Sequence, residues 1–222
     1  MLYLVPTPIG NKGDMTPRAI EVLKEADFIL AEDTRVSSPY LRSLEIKAPI
    51  HSFHTNNEHQ QISQLIDRLR QNQKIVLVSD AGTPGISDPG FLLVRACRES
   101  DIEVQALPGA TAFVPALVAS GLPCEKFFYQ GFLPLKKGRK TQLQWLAKLP
   151  CTIVIYESPH RLLKFVAELM QEFGEDRKVC FAKEISKLYE NHYYGNLKQV
   201  SETLKGLTKI QGEWVIVIQG NE

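Results

Sequence analysis

No stretch of the chain runs for about 18 apolar residues, the length a membrane-crossing helix needs, so the sequence offers no such span. The first residues, Met1-Leu2-Tyr3-Leu4-Val5-Pro6, bring no basic leader and no small-residue cleavage site, and the expected compartment is the cytoplasm. Cysteine is scarce: Cys97, Cys124, Cys151 and Cys180 lie far apart and form no C-x-x-C pair. Structural zinc needs closer spacing, and in a reducing compartment such residues read as small buried thiols. His51, His54 and His59 are close in sequence but follow no ligand spacing, so no metal is expected. Neither G-x-G-x-x-G nor G-x-x-x-x-G-K-[ST] occurs, which excludes a standard dinucleotide or P-loop site. The absence of a G-x-S-x-G elbow and of a Cys/His nucleophile pattern argues against a hydrolase. Charge is nearly balanced at +1 and by itself points to no partner.

What is present is an ordinary globular composition, 44% hydrophobic, enough to bury a core. The second half is the more basic one: residues 111–222 carry 15 Lys/Arg against 11 Asp/Glu, whereas residues 1–110 carry 11 against 14. That asymmetry is compatible with a phosphate-bearing partner in the second half.

Along the first half, apolar strand candidates at 2–6, 28–31, 75–79 and 103–107 alternate with helix candidates. One helix begins at Thr16-Pro17, a cap followed by the residue that loses nothing there by lacking an N–H. Others run over 57–71, with Ile62, Leu65, Ile66 and Leu69 at helical spacing, and over 91–98. Such alternation predicts an α/β domain with a largely parallel sheet. Turn signals at Leu107-Pro108-Gly109 and Gly121-Leu122-Pro123 flank an imperfect helix over 111–119, and the pattern then restarts. Strands are expected at 127–132, 152–156, 179–182 and 214–218, with helices at 139–149 and 162–173. The predicted organisation is an N-terminal α/β domain, 1–115, and a C-terminal α+β domain, 116–222, with more antiparallel pairing.

Function in α/β proteins concentrates in loops at the carboxyl ends of strands, and five loops stand out. The first is Pro6-Thr7-Pro8-Ile9-Gly10-Asn11, a stiff turn. The second, Ala31-Glu32-Asp33-Thr34-Arg35, sets two carboxylates and an arginine where a strand meets a helix; capping by Asp33 or Thr34 explains it equally well. The third runs from Ser79 through Asp80-Ala81-Gly82-Thr83-Pro84-Gly85-Ile86-Ser87-Asp88-Pro89 to Gly90. It is far longer than the usual βα connection of about 2–6 residues. Its glycines and prolines hold a bend against which a ligand can lie, its N–H groups suit a carboxylate, and Asp80 and Asp88 attract cationic or donor groups, although Asp88 also reads as a helix cap. The fourth is Leu107–Ala112. The fifth, Tyr156-Glu157-Ser158-Pro159-His160-Arg161, suits acid–base work or phosphate binding, with Ser158-Pro159 also fitting a helix start. Lys136-Lys137-Gly138-Arg139-Lys140 is a short basic run, either a solvated surface or a phosphate contact.

Taken in order, these loops resemble the tetrapyrrole-methylase superfamily, and within it the family of ribosomal small-subunit RNA 2′-O-methyltransferases that modify a cytidine of 16S RNA. The matching stretches are 4–11, 31–35, 78–90, 107–112, 119–123, 131–134, 156–161 and 182–184, so they span nearly the whole chain. The resemblance implies two domains, S-adenosylmethionine in a cleft between them, and a homodimer. Carried over residue by residue, it implies cofactor contacts at Pro8, Asp80, Ala81, Gly82, Thr83, Ile86, Thr111, Ala112 and Tyr156. Larger members extend beyond the last strand; this chain stops at Glu222, so RNA contacts from such an extension are not expected.

Methyl transfer from a sulfonium is an in-line displacement in which alignment supplies about 7–11 kcal/mol. A ribose hydroxyl gains from a general base. Glu32, Asp33, Glu157 and Glu184 are the candidate carboxylates, with His160 and Lys183 beside them. Arg35, Lys136, Lys137, Arg139, Lys140 and Arg161 are the candidate RNA contacts. Three other readings stand: methylation of a tetrapyrrole or other small molecule, which predicts a porphyrin-sized apolar cavity; methylation of a protein residue; and a non-catalytic RNA-binding relative, against which the intact 79–90 loop weighs.

Overall fold

A computed structural model describes residues 1–221. The chain divides into two compact units, Met1–Thr111 and the residues from Ala112 onward.

The first unit is an α/β layer structure. Strands β1 (Leu2–Leu4), β2 (Phe28–Ala31), β3 (Ile50–Ser52), β4 (Ile75–Val78) and β5 (Val104–Ala106) form one sheet in the order β3-β2-β4-β1-β5, parallel throughout. Helices α1 (Pro17–Lys24), α2 (Thr34–Ser43), α3 (Glu58–Arg70) and α4 (Phe91–Glu99) make the crossovers. Side chains alternate across a strand, and here both faces are buried. Leu2, Phe28, Leu30, Ile75 and Leu77 meet Leu65, Leu69, Leu93 and Cys97 from α3 and α4. Ile29, Ala31, Val76 and Val78 meet Ala19, Leu23 and Leu41 from α1 and α2. This double coverage is why β2 and β4 read as unbroken apolar runs.

The second unit holds α5 (Phe113–Ala119), β6 (Phe127–Phe132), α6 (Arg139–Leu146), β7 (Thr152–Glu157), α7 (Leu162–Phe173), β8 (Lys178–Lys183), β9 (Asn191–Asn196), α8 (Leu197–Lys205) and β10 (Trp214–Ile218). Its sheet runs β6-β7-β10-β8-β9; only β6 and β7 pair in parallel, and the other three ladders are antiparallel. β10 is central and fully buried, and its Trp214, Ile216 and Ile218 share a core with Phe165 and Leu169 of α7 and with Val200 and Leu204 of α8.

Four elements go beyond the sequence reading. Helix α2 carries Pro39 in its interior, which reads as a breaker. β3 is a three-residue edge strand, and β9, Asn191-His192-Tyr193-Tyr194-Gly195-Asn196, is a polar edge strand with no apolar alternation. Helix α8 begins with a reciprocal capping box between Asn196 and Gln199, an N-x-x-Q signal open to the sequence but not used. Asp88 does not cap α4; that position belongs to Gly90. No helix among the described residues is long and apolar enough to cross a membrane.

Candidate functional site

In the first unit the chain leaves β1 past β4 toward β2, and leaves β4 past β1 toward β5. Neighbouring strands whose connections depart in opposite directions open a crevice at their carboxyl ends, the place where open α/β sheets bind ligands. Two of the loops singled out above, 6–11 and 79–90, bound that crevice, and hydrogen bonds stitch them together. Thr7 N donates to Gly82 O and Gly82 N to Thr7 O, both at 2.9 Å. The buried Thr7 hydroxyl donates to Ser79 O at 3.0 Å, and the Ser79 hydroxyl to Gly82 O at 2.9 Å. Thr83 Oγ1 ties in the loop after β5 by donating to Ala110 O at 3.0 Å. The bend needs left-handed backbone: φ is +90° at Gly82 and +134° at Gly90, and even Ser87 sits at +64°. At Gly90 a Cβ would also stand 2.8 Å from Leu77 Cδ2, so only glycine fits.

The crevice is acidic. Asp80 Oδ1 accepts from the backbone N–H of Asp33 at 3.1 Å and from the Ser37 hydroxyl at 3.4 Å, which fixes the start of α2 against the β4 loop. Burial, then the neighbouring Asp80, push the Glu32 carboxyl above its ordinary value, with His54 opposing. Burial together with Glu32 and Asp80 pushes Asp88 up to about 7. Asp33 behaves differently: it caps α2, and the Arg35 guanidinium grips it at 2.6 Å, holding its carboxyl down at about 2. A cavity of about 140 Å³ lies beside these groups, lined by Thr7, Pro8, Gly10 and Lys12 from one loop, Ser79 and Asp80 from the other, and Val36, Ser37, Tyr40 and Leu41 from α2.

In the second unit Glu157 ends β7 and is almost wholly buried. Its Oε2 accepts from Arg139 Nη2 at 2.9 Å, its Oε1 from Arg161 Nη2 at 2.9 Å and from Ser158 N at 2.8 Å. Arg139 is itself buried, and its Nε donates to Glu168 Oε2 at 2.8 Å. Both Glu157 oxygens are thus committed to guanidinium and backbone donors, and Arg139, expected among the RNA contacts, lies buried as its counter-ion. Glu184, at φ +55°, accepts from Lys187 Nζ at 2.9 Å and from Glu213 N at 2.8 Å. Burial raises its pKa, but the Glu213 N–H and Lys187 outweigh that and lower it. It thereby joins the end of β8 to the start of β10. Tyr156 packs edge-on against Tyr129 and Phe132, with ring centroids 5.4 and 5.5 Å away.

Within the first unit the fold thus gathers Pro8, Asp80, Ala81, Gly82, Thr83, Ile86, Glu32 and Asp33 on adjoining loops, with Arg35 exposed at the rim and Thr111 its last residue. Ala112 and Tyr156 belong to the second unit, as do the exposed Lys136, Lys137 and Lys140 and the part-exposed Arg161. Sequence reasoning missed Asp88 as a candidate acid–base group. Its position in the long loop was visible; its burial and the approach of Glu32, just after β2, which raise its pKa together with Asp80, were not.

A fold of this kind, with its ligand crevice at the switch point of the parallel sheet, is that of known methyltransferases. The family model described as "Tetrapyrrole (Corrin/Porphyrin) Methylases" matches residues 1–201, and the chain belongs to that family. Among its curated relatives is "Ribosomal RNA small subunit methyltransferase I" of Synechocystis sp., 46% identical over 221 residues, which are 99% of this chain and 79% of that protein. The protein of the same name from Escherichia coli O157:H7 is 44% identical over 223 residues, covering 100% of this chain and 78% of the relative. At the level of fold, the chain is similar to a uroporphyrin-III C-methyl transferase from Thermus thermophilus complexed with S-adenyl homocysteine (TM-score 0.63, 21% identity, 98% of this chain and 96% of that one). The chain is accordingly an enzyme of the methyltransferase class.

Proposed function

We propose that this enzyme transfers the methyl group of S-adenosylmethionine to the 2′-oxygen of a cytidine in 16S ribosomal RNA, acting as a cytoplasmic homodimer. The observation that carries the reading is identity above 40% along essentially the whole chain with ribosomal RNA small subunit methyltransferases.

The residues present fit the cofactor. A sulfonium and an α-ammonium are both cationic, and Glu32, Asp80 and Asp88 gather three carboxyls, two of whose pKa values are raised by burial first and by mutual repulsion second. A cation relieves exactly that kind of strain. Pro8, Asp80, Ala81, Gly82, Thr83 and Ile86 of the first unit would hold the cofactor, with Thr111, Ala112 and Tyr156. Bound there, it supplies an electrophilic methyl group. The chain's part is to align the acceptor hydroxyl and to take its proton. Asp88, its carboxyl pushed up to about 7, suits the second task, because a base works best with a pKa near the operating pH; Glu32 is raised in the same direction and is the other candidate. Asp33, held low by Arg35, suits it less.

Incubation with labelled cofactor and small subunits lacking the modification tests the reading. Label in the 16S RNA supports it. Label in ribosomal protein, or transfer only to a tetrapyrrole, replaces it with one of the rival acceptors.

A further inference from the structure

The basic run does not act as a continuous strip. Arg139 is turned inward and spent on Glu157 and Glu168, and its guanidinium lies over the Phe165 ring at 5.3 Å. What remains outside is a groove of about 290 Å³ between α6 and α7. Lys136 and Lys140 line one side; Lys164, 24 residues beyond Lys140 along the chain, lines the other. The Lys164 side chain is 79% exposed, and its one ion-pair partner among the described residues, Glu168, stands 4.0 Å away with its other oxygen already committed to Arg139. Lys136 and Lys140 are exposed, and no ion pair engages either of them among the described residues. Lys140 and Lys164 also occupy the first turns of their helices, neither of which carries an acidic residue there. Cations in a first turn oppose the helix dipole, so this placement costs stability unless an anion answers it.

We propose that Lys136, Lys140 and Lys164 form a phosphate-binding groove for the RNA backbone, with the buried Arg139–Glu157–Glu168 network as the rigid floor that sets their spacing. This rests on the proposed RNA substrate. Glu172, further along the same face of α7, bounds the groove with negative charge. Each lysine contributes one backbone contact. The contacts carry no base information, because a phosphate is the same in every nucleotide.

The test is a salt titration of binding to unmodified 16S RNA, comparing the parent with the triple variant K136Q/K140Q/K164Q and with Lys164→Gln alone. Each phosphate contact contributes about 0.7–0.9 to the log–log slope, so the triple variant should lose about 2–3 and Lys164→Gln about one. A variant neutralising Lys205 and Lys209, exposed on and just after α8, should keep the parent slope. An unchanged slope in the triple variant, in a preparation whose parent still methylates 16S RNA, overturns the groove and leaves the proposed function standing. An unchanged slope in Lys164→Gln alone removes that residue and returns the contact to the run. A parent that neither binds nor methylates the RNA overturns both. Thermal midpoints check that all variants fold.

Discussion

At the scale of single residues, the carboxylates divide by what surrounds them. Asp88 titrates near 7 in the fold but near 3.9 in an unfolded chain, as any free aspartate does. The folded protein therefore holds more protons between about pH 4 and 7, and stability falls as pH rises through that window. Glu32, raised in the same direction, adds to the slope. Thermal midpoints from pH 4 to 8 should decline toward neutrality, and Asp88→Asn should flatten the decline; an unaltered slope in that variant would mean the carboxyl is solvated. Glu157 and Glu32 should separate cleanly under amide substitution. Glu157→Gln removes the charge that two arginines share, and breaking a buried pair costs about 3–5 kcal/mol. Denaturant unfolding reads that loss. Glu32→Gln removes repulsion instead and should leave stability unimpaired, while single-turnover methyl transfer slows by about 10²–10⁴-fold if this carboxylate is the base. Transfer within a few-fold of the parent moves that role to Asp88.

At the scale of elements, the β4–α4 loop does most to shape the crevice. Its paired hydrogen bonds to Thr7 depend on Gly82 at φ +90°. A Cβ there finds room, the nearest atom being Ile9 Cγ2 at 3.5 Å, so the obstacle to substitution is conformational. A β-branched residue is a genuine outlier at such a φ. Gly82→Val should abolish S-adenosylmethionine binding in calorimetry while circular dichroism stays native; retained affinity in a folded variant would remove the turn from the cofactor site. This loop was legible in the sequence because its length and its glycine and proline content exceed what a connection needs. So were the buried strands β2, β4 and β10, whose apolar runs follow directly from being covered on both faces. Strands β3 and β9 were not, since edge strands are short or polar and leave no periodic mark. Nor were the ion pairs: Arg139 looks like its neighbours in the run Lys136–Lys140, and only the convergence of β7, α6 and α7 reveals that it faces inward.

At the scale of the whole molecule, sequence and structure divide the work. The matching loops lie scattered over 222 residues, and the strand order turns those at 6–11 and 79–90 into the walls of one acidic crevice. The same sheet architecture accompanies methylation of tetrapyrroles in enzymes only about a fifth identical to this chain, so the acceptor is decided by the residues grafted on the fold. The most direct test of the central claim is nucleoside mass spectrometry of 16S RNA from small subunits lacking the modification, before and after incubation with the enzyme and S-adenosylmethionine. The account predicts that 2′-O-methylcytidine appears with the parent enzyme and falls sharply with Glu32→Gln or Asp88→Asn. No methylated nucleoside with the parent, in the presence of demonstrated cofactor binding, would contradict it.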